Sequence, residues 1–593
     1  MTSTLISGLD RCSPCLAVRE AAAEVHLAHG SWSPTGTTGT KKGGKAKVKS
    51  GCRTCKARKI KCDEAFPICR RCSTTGRNCD GYGIWGGGGN ARSPPSRVTT
   101  DRKTLCIATR NSCTARASLG SPMFISPVVA SPDQAALFHW FQARTSCKLP
   151  GSFSSHFWST LLLQSSFGEP AIFHAVLALS SVHKRGVLNS DREELHHTAP
   201  DKLERFGLHH YLESIGHLQR HLTGGRNRAS CRVALIACIV FVSMDFLRGH
   251  FSAGQIHLDS GLKLLQQTCS GPGPSLLAFD EWIIEFFSRL YLQVRLFNRQ
   301  SLCPYRPLVL RPRSSGIPSL GFHCLKEAWH EIEKLMDDIF LLTDQARDLP
   351  SDESSPCRSV TIVESQLEVR HRAAQWLNKY ETWVSPTVRA ASMVDTRAWY
   401  LLRSYHTMVT IMAEVALDPL DEVLFDAYTH LFVRLLDQLR DLRTASSAWL
   451  SYPAPLGRNL RYDMARSIID LGWIPPLFFT VIKCRVPTIR LEAVQLLEST
   501  CHREGIWDGR MLARVGRRVI ELEEQDFFDH VNPRYDATSY GRQDSGALRA
   551  SSLPSSYRMH DLEVVLTGDP VRLVTLRFKR EKGFDGALAT IPI

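Results

Sequence analysis

The chain has 593 residues, of which 43% are hydrophobic and 22% charged, with 73 Lys plus Arg against 58 Asp plus Glu. This composition excludes a collagen-like fibre and a chain that is disordered throughout. The 19 cysteines, six of which fall between Cys52 and Cys79, argue against a secreted disulfide scaffold. Residues 1–30 lack a basic-then-apolar secretion signal, and the longest uncharged apolar stretch, 233–244, is too short to cross a membrane. We therefore expect a soluble intracellular protein with no membrane partner.

The positive charge is concentrated near the N-terminus. Residues 1–100 hold 17 Lys or Arg and 6 Asp or Glu, and 13 of the basic residues lie within 41–77. A short, strongly basic block is typical of a module that binds a polyanion, so nucleic acid is the leading class of partner. Residues 1–50 contain a candidate short helix at 16–27 and then a Gly-, Thr- and Lys-rich tract, which predicts a disordered basic region.

Six cysteines follow, in the spacing C-x2-C-x6-C-x6-C-x2-C-x6-C: Cys52, Cys55, Cys62, Cys69, Cys72 and Cys79. The second triplet repeats the first with a shift of 17 residues. Two tetrahedral zinc ions need eight ligand positions, which six thiolates fill only if two sulfurs bridge both metals, and the symmetric choice is Cys52 with Cys69. Each half is predicted to be a Cys-x2-Cys turn that enters a short helix, whose N-terminal N–H groups stabilise thiolate charge. The alternatives are a structural zinc knob on another kind of protein and redox-active thiols.

The two cysteine repeats differ in charge. The first contains the basic run Lys-Ala-Arg-Lys-Ile-Lys at 56–61, whereas the second contains the weakly charged run Ser-Thr-Thr-Gly-Arg-Asn at 73–78. Lysine and arginine suit the O6 and N7 acceptors of guanine, while contacts to phosphate position the protein without reading sequence. The first repeat is therefore predicted to enter a DNA groove.

This segment resembles the fungal Zn2Cys6 (binuclear zinc cluster) transcription factors. Residues 55–63, the loop proline Pro67 and the glycine Gly76 all match the pattern of that family. The resemblance implies that the chain binds two zinc ions and that Lys59 reads base edges in the major groove, typically at a CGG-type triplet. It implies that three further side chains contact phosphate or support the reading helix: Lys56, Arg58 and Lys61.

After the cysteine block, residues 81–129 are predicted to be a flexible linker, because they are rich in Gly, Ser, Pro and Arg and show no coiled-coil heptads. Beyond it, Ser131 before a proline predicts a helix start, and Pro170 predicts another, whose helix should stop at Gly186. Apolar residues recur at helical spacing in 208–222, 232–247, 253–265, 279–295, 370–383, 398–417 and 422–442. Near the end, two strand-like runs predict a hairpin, 562–566 and 574–579.

The helical region also resembles the regulatory domain of the same family, the middle homology region or fungal-specific transcription factor domain. Four segments carry the resemblance: 157–164, 169–179, 246–250 and 257–262. The likeness is less specific than that of the cysteines and extends over residues 130–590. It implies regulation by a ligand or a partner, without naming either.

Three other patterns carry less weight. The histidine pairs at 196–197 and 209–210 lack cysteine partners at ligand spacing, so exposed helical histidines are expected there. The acidic and aromatic run 521–529 resembles an activation segment, although the end of an ordinary helix is favoured. The sequence has neither a G-x-S-x-G nor an H-E-x-x-H motif, so no catalytic residue is predicted.

Together these patterns predict a mostly α protein, in which a small binuclear zinc-cluster module precedes a large all-α helical domain. The predicted regions are the disordered basic 1–50, the Zn2Cys6 DNA-binding domain 51–80, the flexible linker 81–129 and the regulatory domain 130–593. The predicted function is that of a nuclear, zinc-binding transcription factor, not an enzyme, that reads CGG-type half-sites and regulates RNA polymerase II transcription. The alternative is an α-helical enzyme or scaffold with an accessory zinc cluster. Expected partners are double-stranded DNA and co-regulators or the transcription machinery, while a homodimer and a small-molecule effector stay open.

Overall fold

The structure is a computed structural model that describes residues 54–55, 58–63, 69–75, 77, 131–153, 155–189, 201–223, 228–269, 281–298, 321–348, 356–384, 393–447, 463–531, 553–580 and 584–592. Contacts divide the chain into two compact units, Met1–Ala91 and Arg92–Ile593. The predicted disordered region 1–50, with its candidate helix, and the predicted linker 81–129 lie outside the described residues. The boundaries between the four predicted regions therefore stay predictions.

The larger unit is built mainly of helices, which confirms the predicted fold class. Two π-helical turns adjoin these helices. Phe141–Thr145 follows the helix Pro132–Trp140, and Phe157–Leu161 precedes the helix Leu162–Gly168. Helix α1 belongs to the smaller unit and is Arg70–Ser73. The helices of the larger unit are α2 (Pro132–Trp140), α3 (Ser146–Lys148), α4 (Leu162–Gly168), α5 (Pro170–Asn189), α6 (Lys202–Thr223), α7 (Arg228–Arg248), α8 (Phe251–Cys269), α9 (Glu281–Phe297), α10 (Leu325–Arg347), α11 (Pro356–Val384), α12 (Met393–Glu414), α13 (Thr429–Ser447), α14 (Ile474–Lys483), α15 (Pro487–Glu498) and α16 (Gly509–Val531).

Helix α7 is the central helix of the first half of this unit. It packs against α5, α6, α8 and α9 and is buried along nearly its whole length. By length and composition it is the one helix among the described residues that could cross a membrane, yet 89% of its most apolar window is buried inside the protein. A helix that is apolar on every side is expected in the middle of a large core. Its composition is therefore explained by packing against its neighbours.

The predicted helix start at Ser131 is confirmed. Its hydroxyl accepts a hydrogen bond from the backbone N–H of Gln134 at 3.3 Å, and Pro132 occupies the first helical position. The start of α5 at Pro170 is confirmed as well. There the carboxylate of Glu169 accepts the N–H of Ala171 at 3.3 Å, which satisfies one of the N–H groups that a helix start leaves without an intrahelical partner.

The predicted stop at Gly186 was wrong, because α5 continues to Asn189. A glycine in a helix usually weakens it, which is why the sequence pattern suggested an end. In the structure this glycine lies against Met464, and a Cβ atom at its position would come within 2.7 Å of that side chain. Gly186 is thus explained by close packing between segments far apart in sequence, which a local pattern does not reveal.

The later helical predictions are confirmed in type and shifted in position. The predicted helix 422–442 is a 3-10 turn at Leu424–Tyr428 followed by α13. Helices α10, α14, α15 and α16 were not singled out from the sequence. The acidic run 521–529 lies inside α16, as the favoured interpretation had it.

A small antiparallel sheet closes the described chain. The predicted hairpin is confirmed as β3 (His560–Thr567) paired with β4 (Leu573–Arg580), but a third strand, β5 (Phe584–Pro592), also pairs with β4 and was not predicted. Strand β4 is central and buries Val574, Leu576 and Phe578, which alternate with more exposed residues. A second, two-residue ladder joins β1 (Arg503–Glu504) to β2 (Trp507–Asp508) ahead of α16.

A buried histidine on α12 makes the stability of the larger unit depend on pH. The ring of His406 stacks on Trp376 with the ring centroids 4.8 Å apart, and its Nε2–H donates to the carbonyl of Ala373 at 2.9 Å. Burial is the main cause that lowers the pKa of His406 to about 4, while the hydrogen bond to Ala373 acts in the opposite direction. Between the ordinary histidine pKa of about 6.5 and this value, the unfolded chain binds a proton that the folded chain does not. Acid should therefore destabilise the fold across that range.

We expect His406→Gln to flatten this part of the pH dependence. Glutamine keeps an N–H donor near the position of Nε2 but does not titrate. At pH 4.5 the histidine contributes about 2 kcal/mol of acid destabilisation that the variant lacks. Urea unfolding followed by circular dichroism between pH 7 and 4.5 measures the difference in slope. The exposed His430 of α13 offers the matched control, and equal slopes for His406→Gln and the wild type would contradict the prediction.

Candidate metal centre and nucleic-acid interface

Four cysteine sulfurs converge in the smaller unit. The Sγ atoms of Cys55, Cys62 and Cys69 all lie within 4.8 Å of one another. Cys55 Sγ is 3.6 Å from Cys69 Sγ and 4.0 Å from Cys72 Sγ. These separations are too long for a disulfide bond, but they match sulfurs on a tetrahedral zinc ion, where bonds of about 2.3 Å place two ligands about 3.8 Å apart. The donor set and its spacing fit zinc.

The cysteines are also the core of this unit. Cys55, Cys69 and Cys72 are fully buried and form its hydrophobic cluster, against which Cys62 packs. The remaining described residues of the unit are exposed or half-buried. A unit with so little apolar side chain inside does not bury enough surface to fold by the hydrophobic effect alone.

The second repeat shows the predicted turn into a helix. Cys69 is the N-cap of α1, and its sulfur accepts the backbone N–H of Cys72 at 3.3 Å. Such N–H groups and the positive end of the helix dipole stabilise a thiolate. The local sequence thus prepares Cys69 to be a metal ligand.

Asp63 is a structural residue that the sequence patterns did not indicate. Its carboxylate accepts the backbone N–H of Arg70 at 3.0 Å and that of Arg71 at 3.2 Å. Desolvation acts to raise the pKa of Asp63, but hydrogen bonds from Arg71 and Arg70 outweigh it and hold the pKa below the ordinary value. Asp63 therefore ties the residue after Cys62 to the start of α1. The one signal in the sequence was an acidic residue within a basic segment.

Lys59 has an unusual backbone conformation. Its φ is +56°, and the N–H of Ile60 donates to the carbonyl of Cys55 at 3.1 Å. A residue in the left-handed conformation, followed by an N–H that donates to a carbonyl of the last helical turn, is a common end of a helix. Lys59 is exposed and lies in the turn after the helical residues Thr54 and Cys55. The sequence placed this lysine on the reading helix, whereas the structure places it at the helix end.

The other predicted DNA contacts have different environments. Lys61 is exposed, whereas Arg58 is half-buried and its Nη1 donates to Thr75 Oγ1 at 3.3 Å, across the two repeats. Arg70 and Arg71, in the second repeat, are exposed as well and add positive charge beside the cysteines. Three predicted site residues lie outside the described residues: Cys52, Lys56 and Cys79.

Comparison with protein families agrees with this geometry. Residues 50–84 match the fungal Zn(2)-Cys(6) binuclear cluster domain, and residues 137–439 match the fungal specific transcription factor domain. Because the second match covers half of the chain, the protein belongs to the family of fungal transcription regulators that carry this domain. Zinc binding and DNA binding are properties of the cluster domain, and the chain is a regulator rather than an enzyme.

Individual relatives point the same way. The chain is 25% identical over 558 residues to the aspercryptin biosynthesis cluster-specific transcription regulator atnN of Emericella nidulans, covering 80% of this chain and 87% of that protein. It is 27% identical over 217 residues to the transcription regulator lscL of Purpureocillium lilacinum, covering 36% and 48%. It is 50% identical over 46 residues to the arginine metabolism regulation protein II of Saccharomyces cerevisiae, covering 8% and 5%. No solved structure gives a significant match.

Proposed function

We propose that this protein is a zinc-dependent transcription factor that acts in the nucleus and reads CGG-type half-sites through its first cysteine repeat. The observation that carries the proposal is the convergence of Cys55, Cys62 and Cys69, with sulfur separations that suit zinc. The helical unit would be the place where co-regulators, the transcription machinery, a second copy of the chain or a small-molecule effector act on it.

The proposed cluster contains two zinc ions held by six thiolates. Cys52, Cys55, Cys62 and Cys69 would hold the first ion, and Cys72 and Cys79 would complete the second together with the bridging Cys52 and Cys69. The bridging position suits Cys69, since its sulfur lies near those of Cys55 and Cys62 and also accepts the N–H of Cys72. Each zinc would act as a structural cross-link between the two repeats.

The proposed base reading depends on the turn at Lys59. Lys59 lies in the turn after the helix end, and its side chain is exposed. An ammonium group there suits the O6 and N7 acceptors of guanine. Lys56, Arg58 and Lys61 would contact phosphate or support this turn, and the bond from Arg58 to Thr75 suits a supporting role.

We expect Lys59→Gly to remove sequence preference while keeping the module folded. Glycine adopts the positive φ of this position more easily than alanine, so the variant loses the side chain without added backbone strain. Affinity for the preferred duplex should fall by about 1–3 kcal/mol, while affinity for an unrelated duplex should change little. Fluorescence anisotropy with both duplexes at one salt concentration measures this.

Lys61→Ala is the matched control for that experiment, because Lys61 is exposed in the same repeat. As a phosphate contact it should weaken binding to both duplexes by the same factor and reduce the slope of log affinity against log salt by about 1. If Lys59→Gly bound with unchanged preference, base reading would have to be assigned to another residue.

The target genes form a separate proposal. The likeness to atnN extends over most of both chains, and that regulator is named for one biosynthetic cluster. This favours a set of clustered biosynthetic genes as the targets of the present chain. Genome-wide mapping of its bound sites, combined with transcript levels after deletion of its gene, would identify the targets and would separate activation from repression.

A further inference from the structure

A group of histidines lies where α5 packs against α6 in the helical unit. His174, on α5, and Glu213 and His217, on α6, offer ligand atoms that all lie within 4.8 Å of one another. Another histidine of α6, His210, is only 2% exposed, so the expectation that the 209–210 pair consists of exposed histidines was wrong for this residue. The sequence interpretation missed the group because it took no account of Glu213 and because His174 comes from a different helix.

The spacing on α6 brings its two ligands to one face. Glu213 and His217 are four residues apart, and side chains at that spacing are neighbours on a helix surface. His174 reaches them from α5, and its ring lies parallel to that of His217 with the centroids 5.4 Å apart. Two imidazoles and a carboxylate form a donor set that zinc accepts, with a fourth position left for water.

His210 supplies the support that metal-binding histidines usually have. Its Nδ1 lies 2.7 Å from Nδ1 of His174, so one ring donates to the other. When the Nδ1–H of His174 is the donor in this bond, its unprotonated Nε2 is the ring atom that can bind a metal. The ring of His210 is itself held edge-on against Phe206, with the centroids 4.3 Å apart. Such an outer hydrogen bond fixes the orientation and tautomer of a ligand histidine.

Coordination requires one side chain to move. Two parallel rings cannot both point a nitrogen at the same ion, so one of them must rotate. His217 is half-buried and Glu213 is exposed, which leaves room for rotation without movement of the backbone. The open side of the group also makes a bound ion exchangeable with solvent, in contrast to the buried sulfurs of Cys55, Cys69 and Cys72.

We infer that His174, Glu213 and His217 form an exchangeable zinc site that links α5 to α6 in the regulatory unit. The inference is independent of the cysteine cluster and uses none of its residues. Zinc bound here stabilises the packed arrangement of the two helices, because an ion that binds the folded state alone shifts folding toward that state. The helical unit thereby responds to the concentration of free zinc.

The test measures zinc on the full-length protein. Equilibrium dialysis against buffered free zinc, followed by elemental analysis, should give one zinc fewer per chain for His217→Asn and for Glu213→Gln than for the wild type. His209→Asn is the matched control, since His209 is exposed on the same helix and outside the proposed ligand set, and it should keep the full number. Raising free zinc should also raise the melting temperature of the helical unit in the wild type and in His209→Asn, but not in His217→Asn.

Two further measurements make the outcome specific to this site. Cys69→Ser should lose zinc from the cysteine cluster and keep the zinc-dependent melting shift, so failure of the cluster and failure of this site are distinguishable. Circular dichroism of each variant without added zinc shows whether it folds. Because Glu213 is exposed, Glu213→Gln still tests the site if a histidine variant fails to fold. Equal zinc content in the wild type, His217→Asn and Glu213→Gln would overturn the inference, and so would an equal loss in His209→Asn.

Discussion

Replacing Cys69 with serine should unfold the cysteine-rich unit and abolish specific DNA binding by the full-length protein. A serine hydroxyl can still cap α1, so the local turn is preserved as far as a substitution allows. It does not replace a thiolate that lies 3.6 Å from Cys55 Sγ and is proposed to bridge two ions. Metal binding contributes about 10–16 kcal/mol to a small structural zinc domain, and the apolar core here consists of the ligands themselves. Little stability is left once the bridge is removed.

The experiment combines the substitution with removal of the metal. Fluorescence anisotropy with the preferred duplex should show no specific binding by Cys69→Ser, and the wild type treated with a strong chelator should behave in the same way until zinc is restored. Cys324→Ser makes the same chemical change at an exposed cysteine of the helical unit and should bind normally. Specific binding by Cys69→Ser at wild-type affinity would show that the sulfur cluster does not hold the fold.

What the sequence predicts well has a local cause. The spacing of the cysteines, the capping of α2 by Ser131 and the alternation of β4 each arise from neighbouring residues, so short patterns reveal them. The positions of Cys55, Cys62 and Cys69 follow from the same spacing, because a single ion requires all three to meet.

What the sequence does not predict depends on residues far apart in the chain. Gly186 leaves room for the side chain of Met464, and His210 forms a hydrogen bond with His174 on another helix. Asp63 acts on the backbone of a helix that begins seven residues later, which no periodic pattern records. Strand β5 contains small residues in its middle, so its sequence does not resemble a strand, and only its pairing with β4 identifies it as one. In each case the missing information is a tertiary partner.

The role of Glu523 also depends on residues far apart in the chain. Its sequence context favoured the end of an ordinary helix. Its side chain is fully buried, and its carboxylate accepts hydrogen bonds from Arg485 Nη2 at 2.8 Å and Arg490 Nη2 at 2.6 Å. It also accepts the backbone N–H of Met559 at 2.9 Å, just ahead of β3. One carboxylate therefore joins α16 and the residues around the start of α15 to the C-terminal sheet.

The charge of Glu523 is essential to this arrangement. Desolvation acts to raise the pKa of Glu523, but the guanidinium groups of Arg485 and Arg490 outweigh it and lower the pKa to about 2. The folded-state pKa lies below the ordinary glutamate value of about 4.3. This contribution to stability is therefore complete above that value and is lost as the pH falls toward 2.

We expect Glu523→Ala to destabilise the helical unit by about 3–5 kcal/mol, because it removes the acceptor of three buried hydrogen bonds, from Arg485, Arg490 and the Met559 N–H. Arg485 keeps its ion pair with Glu422, and Arg490 keeps its ion pair with Glu524. Glu521→Ala, on the same helix, removes an exposed carboxylate paired with Arg518 at 3.0 Å and should cost about 0.5 kcal/mol or less. Urea unfolding of the full-length protein at pH 7, followed by circular dichroism, compares the two variants. A similar loss for both would mean that the buried cluster contributes no more than a surface pair.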